Sequence, residues 1–408
     1  MIVLKNVLIP HGEQWIKRDV IIQRGVYGEI SESIDERPLK DARIIQGEER
    51  YLLPAFIDPH VHVREPGFDY KEDWITCSRA ALKGGASSIF DMPNNKIPVV
   101  DYPGVKEKSE IANKKSYVNF GLYAALTDNN IDELKSTGMQ GAVCGIKIYL
   151  ARTTGNLTVT SGSALLNVFN QPKPVLVHTG GIEGLKKVLF FYEKASKHFS
   201  VVPVLYVCHV STGEEVALLR KWKEKLPSIL AEATPHHLFL NKEEYTGLKG
   251  VLPPLSAKKD VEALWEGVKD GTIDLLGTDH APHTVEEKRG RVPPSGFPGL
   301  ETAFPLLLNA FKDRRLSLNS LLRMTSGNAG KLFKMGIGDG VVKGEKADCT
   351  LVEEGVFRAG EDGYETKCGW SPFHGWNLGF KPVLTVVNGF ISYENGKFYR
   401  NPVKNLCR

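Results

Sequence analysis

The sequence predicts an α/β protein: a (β/α)8 barrel of the TIM type, with a small β-sandwich domain built from both chain ends. Three observations lead to this prediction. Short apolar runs alternate with helical stretches through the middle of the chain, β-rich segments occur at both ends, and histidines recur where apolar runs stop. We therefore expect residues 54–340 to form the barrel, and residues 1–53 with 341–408 to form the sandwich domain.

The barrel prediction rests on apolar runs of strand length that alternate with helical segments over roughly 280 residues. The runs are residues 53–57, 87–91, 118–123, 142–149, 175–178, 204–209, 228–231 and 275–278. In this fold the chemistry lies at the C-terminal ends of the strands, and the polar motifs of this sequence lie at those ends.

The sandwich prediction rests on short alternating runs separated by Gly, Pro and charged residues. They are residues 2–4, 7–9, 19–22 and 42–45 near the start, and 348–352, 383–387 and 390–393 near the end. Because the two groups are alike, we expect them to build one domain together.

Composition excludes several classes of partner. Lys and Arg (52) nearly balance Asp and Glu (48), which predicts neither a nucleic-acid nor a membrane partner. No apolar run is long enough to span a bilayer, and the N-terminus lacks a signal peptide's apolar stretch. The six cysteines are scattered without a Cys-x-x-Cys pair, so we expect reduced thiols and a cytoplasmic protein.

The first motif, residues 58–64, follows an apolar run. His60 and His62 are two apart on a predicted strand and project to one face, as half of a metal site requires. Arg64 falls on the same face and suits a carboxylate. The alternative is a pair of surface histidines after a core strand.

Lys147 lies between apolar residues in a predicted core strand, where an unpaired ammonium is costly. Reaction with CO2 would convert it to a carbamate, an anionic bridge between two metal ions. The alternative is a salt bridge to a buried acid.

Further histidines end other apolar runs. His178 and His209 end two successive strands and, with the first pair, favour a binuclear metal site. Cys208 should face the opposite side, towards the core. His236 and His237 are expected to orient ligands or to be structural rather than to bind metal.

Two more motifs complete the site. Asp279 follows the last predicted strand and can both bind metal and act as a general base, while His283 can meet a substrate anion. Asn94 can offer an amide to a substrate, although Pro93-Asn94-Asn95 is equally typical of a plain turn.

Together these motifs resemble the dihydroorotases of the amidohydrolase superfamily. The matching pieces, in family order, are residues 58–67, 92–94, Lys147 with Tyr149-Leu150, His178, 209–212, 234–238, 279–283, Glu287-Lys288 and 296–302. The strand with Lys147 and the Glu286-Glu287-Lys288 stretch look most similar to the dihydroorotase domain of the multifunctional animal pyrimidine enzyme.

The resemblance implies two zinc ions per chain, bridged by carboxylated Lys147. His60 and His62 would hold one ion with Asp279, and His178 and His209 the other. It also implies that Arg64, Asn94 and His283 bind the substrate carboxylate, and that Thr153 contacts substrate from a mobile loop.

The implied activity is reversible cyclisation of N-carbamoyl-L-aspartate to L-dihydroorotate in pyrimidine synthesis. Because hydrolysis needs Asp279 ionised and cyclisation needs it protonated, we expect cyclisation to fall and hydrolysis to rise as pH increases. Two positions depart from the family pattern: Leu252 replaces a polar residue, and Gly180 replaces the acid of a His-Ala-Glu motif.

Two rival functions stay open: a hydantoinase or allantoinase, and an inactive subunit that supports aspartate carbamoyltransferase. A homodimer and association with that carbamoyltransferase also stay open.

Overall fold

The structure is a computed structural model that describes residues 1–37, 39–152 and 156–407. Its strands, in chain order, are β1 Ile2–His11, β2 Gln14–Gln23, β3 Val26–Ser31, β4 Arg43–Gln46, β5 Tyr51–Pro54, β6 Phe56–Val61, β7 Ala86–Asp91, β8 Asn119–Ala125, β9 Gly145–Tyr149, β10 Val175–His178, β11 Leu205–Val207, β12 Ile229–Ala233, β13 Leu275–Leu276, β14 Cys349–Arg358, β15 Asn377–Val387, β16 Phe390–Glu394 and β17 Lys397–Phe398.

The helices alternate with the barrel strands. They are α1 Trp74–Lys83, α2 Tyr102–Lys115, α3 Ile131–Lys135, α4 Thr137–Ala142, α5 Gly162–Asn167, α6 Ile182–His198, α7 Gly213–Lys225, α8 Pro235–Phe239, α9 Lys258–Lys269, α10 Val285–Arg289, α11 Leu300–Lys312, α12 Leu318–Leu322 and α13 Asn328–Leu332, with a π-helical turn at Arg323–Gly327. No helix in the described part of the chain combines the length and apolar character needed to cross a bilayer.

Strands β6 to β13 pair in sequence order and in parallel, as a (β/α)8 barrel requires. The barrel nearly closes where His62 N donates to His280 O at 2.8 Å, joining the segment after β6 to the segment after β13. Nearly every residue of these strands is buried, as expected of parallel strands that helices cover on one face and barrel core on the other. The barrel prediction is confirmed.

Both ends of the chain contribute to a second, separate sheet, which confirms the other half of the predicted fold class. In its described strands the order is β17-β16-β15-β14-β5-β1-β2-β3, with β4 also paired to β1. The two ends meet where β5 pairs antiparallel with β14. The division of the chain into two domains at residues 53 and 341 stays a prediction.

The apolar run at residues 53–57 does not form one strand as expected. Tyr51–Pro54 pairs in the mixed sheet, whereas Phe56–Val61 begins the barrel, with buried Ala55 between them. The barrel strand therefore includes Asp58 and His60. Hydrophobicity could not locate this break, because both halves are equally apolar and equally buried.

The prediction that the cysteines are all reduced is wrong in this structure. Cys144, just before β9, is bonded to Cys407. The C-terminal segment reaches it by running beside β8, where Phe120 N donates to Lys404 O and Leu406 N donates to Phe120 O. Because 263 residues separate the two cysteines, no local spacing in the sequence indicated the pair.

Helix N-termini fix the loops that follow the barrel strands. Thr212 caps α7 three residues after His209, and Thr284 caps α10 directly after His283. Both helices have a capping box, in which a glutamate at the third helical position bonds back to the cap. Such a cap stabilises a helix by about 1 kcal/mol and fixes where each loop must end.

Candidate active site

A cavity of about 350 Å³ opens at the C-terminal ends of the barrel strands, where the sequence predicts the chemistry. It is lined by His60, His62, Arg64, Asn94, Lys147, Tyr149, Arg152, His178, His209, Leu252, Asp279, Ala281 and residues 292–296. All six predicted metal ligands and two of the predicted substrate contacts therefore share one cavity.

Asp279 brings the first group of candidate ligands together. Its Oδ1 lies 3.2 Å from His60 Nε2 and 2.9 Å from His62 Nε2. Burial would raise the pKa of Asp279, but the surrounding imidazoles hold it well below its usual range. The carboxylate is therefore ionised and faces two ring nitrogens.

The opposite edges of both rings are already bonded. His60 Nδ1 donates to Glu232 Oε1 at 2.9 Å, and His62 Nδ1 donates to Asn94 Oδ1 at 2.7 Å. Burial lowers the pKa of His62 to about 4, so its ring is neutral and has one N–H. Its Nε2 therefore presents a lone pair to the Asp279 carboxylate at 2.9 Å, and a cation between the two atoms would relieve that repulsion.

The pKa of His60 supports the same interpretation. Burial would lower that pKa, but the carboxylates of Glu232 and Asp279 raise it to about 10. His60 is therefore held where a positive charge is favoured between two acids. A metal ion can supply that charge in place of the second proton, so the donor set fits a metal centre.

His178 and His209 form the second group. His178 Nδ1 lies 2.9 Å from His209 Nε2, and His209 Nδ1 is buried without a partner among the described residues. Burial lowers the pKa of His178 to about 3 and that of His209 well below its usual range. Both rings are therefore neutral, as metal ligands must be.

Lys147 lies among these histidines on β9. Its Nζ is buried and donates to Cys208 Sγ at 2.9 Å, and within the described residues it has no ion pair with a carboxylate. The salt bridge considered as an alternative for Lys147 is therefore absent from this part of the chain.

The expectation that Cys208 faces away from the site is wrong. Strand β11 ends at Val207, and His209 has a φ of +38°, so the strict alternation of a strand stops before Cys208. The Cys208 thiol turns towards Lys147 and groups with His60 and Glu232 as a second set of donor atoms.

Glu232 is a functional residue that sequence reasoning missed. It is fully buried on β12 and accepts from His60 Nδ1, from Tyr206 Oη at 2.5 Å and from His209 N at 2.8 Å. It therefore orients two candidate ligands at once. An acid within the apolar strand Ile229–Ala233 is the same kind of signal that identified Lys147.

Arg64 dominates the other side of the cavity. The residue is buried, with 4% of its surface exposed, and no carboxylate in the described ranges lies in ion-pair contact with it. Its Nε donates to Pro282 O at 3.3 Å, and its Nη2 lies 3.1 Å from His283 Nε2. A buried guanidinium without a paired acid is costly, so it is suited to an anionic ligand.

Backbone conformation marks three of the site residues. Arg64 (φ +72°), His209 (φ +38°) and Asp279 (φ +46°) all adopt the left-handed region that non-glycine residues rarely occupy. Such conformations cost free energy and cluster at functional sites. Each one redirects a side chain as a strand ends, which brings these three groups into the cavity.

His283 supports Arg64 from behind. It accepts from Lys71 Nζ at Nδ1 (3.1 Å) and donates from Nε2 to Ser295 O (2.9 Å). Burial, followed by the charges of Arg64 and Lys71, lowers its pKa to about 2, so the ring is neutral. Among the described residues His283 contacts Arg64 but is not part of the cavity lining.

A buried ion pair braces the loop that carries Asn94. Lys108 Nζ lies 2.7 Å from Asp91 Oδ2 and donates to Met92 O and Asn95 Oδ1, each at 2.7 Å. Asp91 Oδ1 in turn accepts from Val63 N, next to Arg64, at 2.9 Å. One pair of charges thus holds the two segments that present Arg64 and Asn94.

Four other predicted positions have distinct outcomes. Thr153 lies outside the described residues. Leu252 is 46% exposed and lines the cavity.

The backbone at Gly180 explains why no acid occupies this position. Gly180 has a φ of +71°, and a Cβ there would lie 2.2 Å from Ala151 Cβ. His237 bonds Thr234 Oγ1 and Pro253 O rather than facing the cavity.

Comparisons with known proteins agree with this geometry. Residues 51–391 match the amidohydrolase family. A dihydroorotase of Methanosarcina acetivorans is 32% identical over 98% of this chain and 93% of its own length. The multifunctional protein CAD of Squalus acanthias is 34% identical over 85% of this chain and 15% of its own length.

Solved structures show the same fold. An L-hydantoinase from Arthrobacter aurescens superposes with a TM-score of 0.87 at 23% identity, covering 98% of this chain and 97% of its own. A dihydropyrimidinase from Brevibacillus agri superposes with a TM-score of 0.88 at 21% identity, covering 100% and 98%.

Proposed function

This chain belongs to the amidohydrolase family and, within it, to the dihydroorotases, and from that premise we propose that it interconverts N-carbamoyl-L-aspartate and L-dihydroorotate in pyrimidine synthesis. Like its relatives it is an enzyme that acts on a cyclic amide. The structural neighbours named as hydantoinases share its fold at identities that carry no statement about substrate.

One observation carries the choice of substrate. Arg64 is buried, opens on the cavity and has no acid in ion-pair contact within the described residues. Dihydroorotate brings a carboxylate that can pair with it, and a neutral hydantoin does not. Asn94, on the neighbouring loop, lines the same side of the cavity and would join Arg64 in holding that carboxylate, while His283 would support Arg64 from behind.

We assign two zinc ions to the opposite side. His60, His62 and Asp279 would hold one ion, His178 and His209 the other, and carboxylated Lys147 would bridge them. Four imidazoles and carboxylate oxygens are ligands that zinc accepts. Carbamate formation adds CO2 to the Lys147 amine and releases one proton. When bound, the ions would polarise the ring amide and lower the pKa of a water molecule.

Asp279 would move the proton of the reaction. In hydrolysis its carboxylate accepts a proton from the attacking water and passes it to the ring nitrogen as the amide bond breaks. In cyclisation the protonated acid returns that proton to the departing water. Glu232 accepts a hydrogen bond from His60 Nδ1 and so orients the ring with Nε2 towards Asp279.

Three further assignments follow from the same premise. We propose a cytoplasmic location, a homodimer, and association with aspartate carbamoyltransferase, since the relative CAD is by name a multifunctional protein. An inactive supporting subunit is the rival to this proposal, and hydantoin hydrolysis is the other rival.

A single paired measurement tests the proposal. Zinc per chain is determined by elemental analysis, and hydrolysis of dihydroorotate is compared with hydrolysis of hydantoin and allantoin. We expect about two zinc ions and a strong preference for dihydroorotate. Zinc with turnover of only the neutral rings would identify a hydantoinase, and zinc without any turnover would favour the supporting subunit.

A further inference from the structure

Tyr149 is a buried residue of the cavity that the proposed reaction does not yet use. It lies on β9 two residues after Lys147, so both side chains project to the same face of the strand. Tyr149 lines the cavity. The centroid of its ring lies 6.1 Å from the centroid of the His178 ring and 5.5 Å from Lys147 Nζ.

The Tyr149 hydroxyl group has no hydrogen-bond partner in the described part of the chain. Tyr149 is only 2% exposed, and its Oη is buried without a hydrogen bond among the described residues. Native proteins satisfy nearly all buried polar side-chain atoms, because leaving one unpaired costs about 1–3 kcal/mol. An orphaned hydroxyl in a cavity wall is therefore explained if its acceptor arrives with a ligand.

Other buried tyrosines of the barrel strands follow the usual rule. Tyr123 on β8 donates to Pro59 O at 2.9 Å, and Tyr206 on β11 donates to Glu232 Oε2. Neither of these two residues lines the cavity. Within this group of described residues, the tyrosine whose hydroxyl is unpaired is also the one that lines the cavity.

A tyrosine hydroxyl has an ordinary pKa of about 10, so it keeps its hydrogen near neutral pH. Tyr149 therefore offers an O–H that an oxygen atom of a ligand can accept.

We propose that Tyr149 donates a hydrogen bond to an oxygen atom of the bound cyclic amide and so acts as a substrate-binding residue. The inference rests on the proposed function, because it places a cyclic amide in this cavity. The hydrogen bond forms when the substrate enters and is present before the reaction begins. Its loss should therefore affect substrate affinity more than turnover.

The test is Tyr149→Phe, which removes the hydroxyl and keeps the ring. We expect KM for dihydroorotate to rise about 10-fold, with kcat changed by less than about threefold and zinc content unchanged. The matched control is Tyr192→Phe on α6, a buried tyrosine remote from the cavity that donates to Pro203 O. That control should lower thermal stability without changing KM.

The outcomes separate this inference from the proposed function. An unchanged KM in Tyr149→Phe, a fall in kcat at constant KM, or an equal rise in KM in the control would each overturn the role of Tyr149. If the wild type hydrolyses only a neutral ring, the proposed function fails, and the same two KM values are compared on that ring. Calorimetric titration with N-carbamoyl-L-aspartate compares the two proteins where turnover is absent, and equal affinities would overturn the assignment.

Discussion

The two sides of the cavity are built in different ways. The proposed metal side consists of His60, His62, Lys147, His178, His209 and Asp279, which lie in barrel strands or within three residues of their ends. The proposed anion side consists of Arg64 and Asn94, which lie on loops, and of the groups behind them. Hydrogen bonding between neighbouring strands fixes the first set, whereas the Lys108–Asp91 ion pair and the Lys71–His283 hydrogen bond hold the second.

This difference predicts which substitutions should affect metal binding and which should affect substrate affinity. A ligand set that strand register positions does not depend on a single brace, because strands β7 to β12 each pair with a neighbour on both sides and the bridge from Val61 to His280 joins β6 to the segment after β13. A loop residue held by one buried ion pair depends on that pair. We therefore expect changes to the braces to alter substrate affinity and to leave metal binding intact.

The largest effect is expected for Lys147→Ala. Without the proposed bridging carbamate, the zinc content should fall to about one ion per chain or less, and hydrolysis of dihydroorotate should fall at least about 100-fold. Lys147→Arg is the matched control, because it keeps a positive charge but cannot carry a carbamate, and it should fail in the same way. Full zinc content and turnover in either variant would contradict the carbamate bridge.

A change confined to the anion side should separate substrates. Arg64→Gln removes the guanidinium, and the loss of a charge-assisted interaction of about 2–3 kcal/mol should lower kcat/KM for dihydroorotate about 30- to 150-fold. Any residual hydrolysis of hydantoin should be unaffected, and zinc content should stay at the wild-type value. A parallel fall for both rings would show that Arg64 serves the metal side as well.

The brace itself can be tested by removing both of its charges. Lys108→Met alone would leave Asp91 buried and unpaired, at a cost of about 3–5 kcal/mol, so the informative variant combines Asp91→Asn with Lys108→Met. We expect KM to rise about 10-fold while zinc content is retained. If zinc were lost together with affinity, the two sides would be coupled, and the comparison between them would be wrong.

The smallest effect concerns acid stability rather than activity. Burial lowers the pKa of His237 to about 4, against 6.5 in the unfolded chain. Its neutral form is favoured in the folded protein, so the stability that it contributes is complete above pH 6.5 and is lost as pH falls towards 4. Over that range the loss is about 3 kcal/mol.

Urea unfolding in the presence of a chelator measures this loss. Between pH 7 and pH 4 the free energy of unfolding of the wild type should fall by about 3 kcal/mol more than that of His237→Asn. Parallel pH profiles for the two proteins would show that His237 titrates normally.

Sequence reasoning predicted the barrel and the candidate ligands for a shared reason. Both depend on short-range sequence patterns. Successive side chains of a strand point to opposite faces, and a (β/α)8 barrel places the C-terminal ends of all its strands at one end of the barrel. His60, Lys147, His178, His209 and Asp279 could therefore be expected together from their places in the chain. The first strand was misplaced because the apolar run at residues 53–57 continues from β5 into β6, although these two strands pair in different sheets.

The sequence by itself therefore determined the fold class, the ends of the strands where chemistry lies and the types of ligand available. Only the tertiary structure decided which partners these groups meet. Glu232 bonds His60 across 172 residues, Cys144 bonds Cys407 across 263, and Arg64 has no paired acid among the residues that the structure describes. The reason is physical: periodicity acts over a few residues, whereas pairing and burial depend on distances that only the folded chain sets.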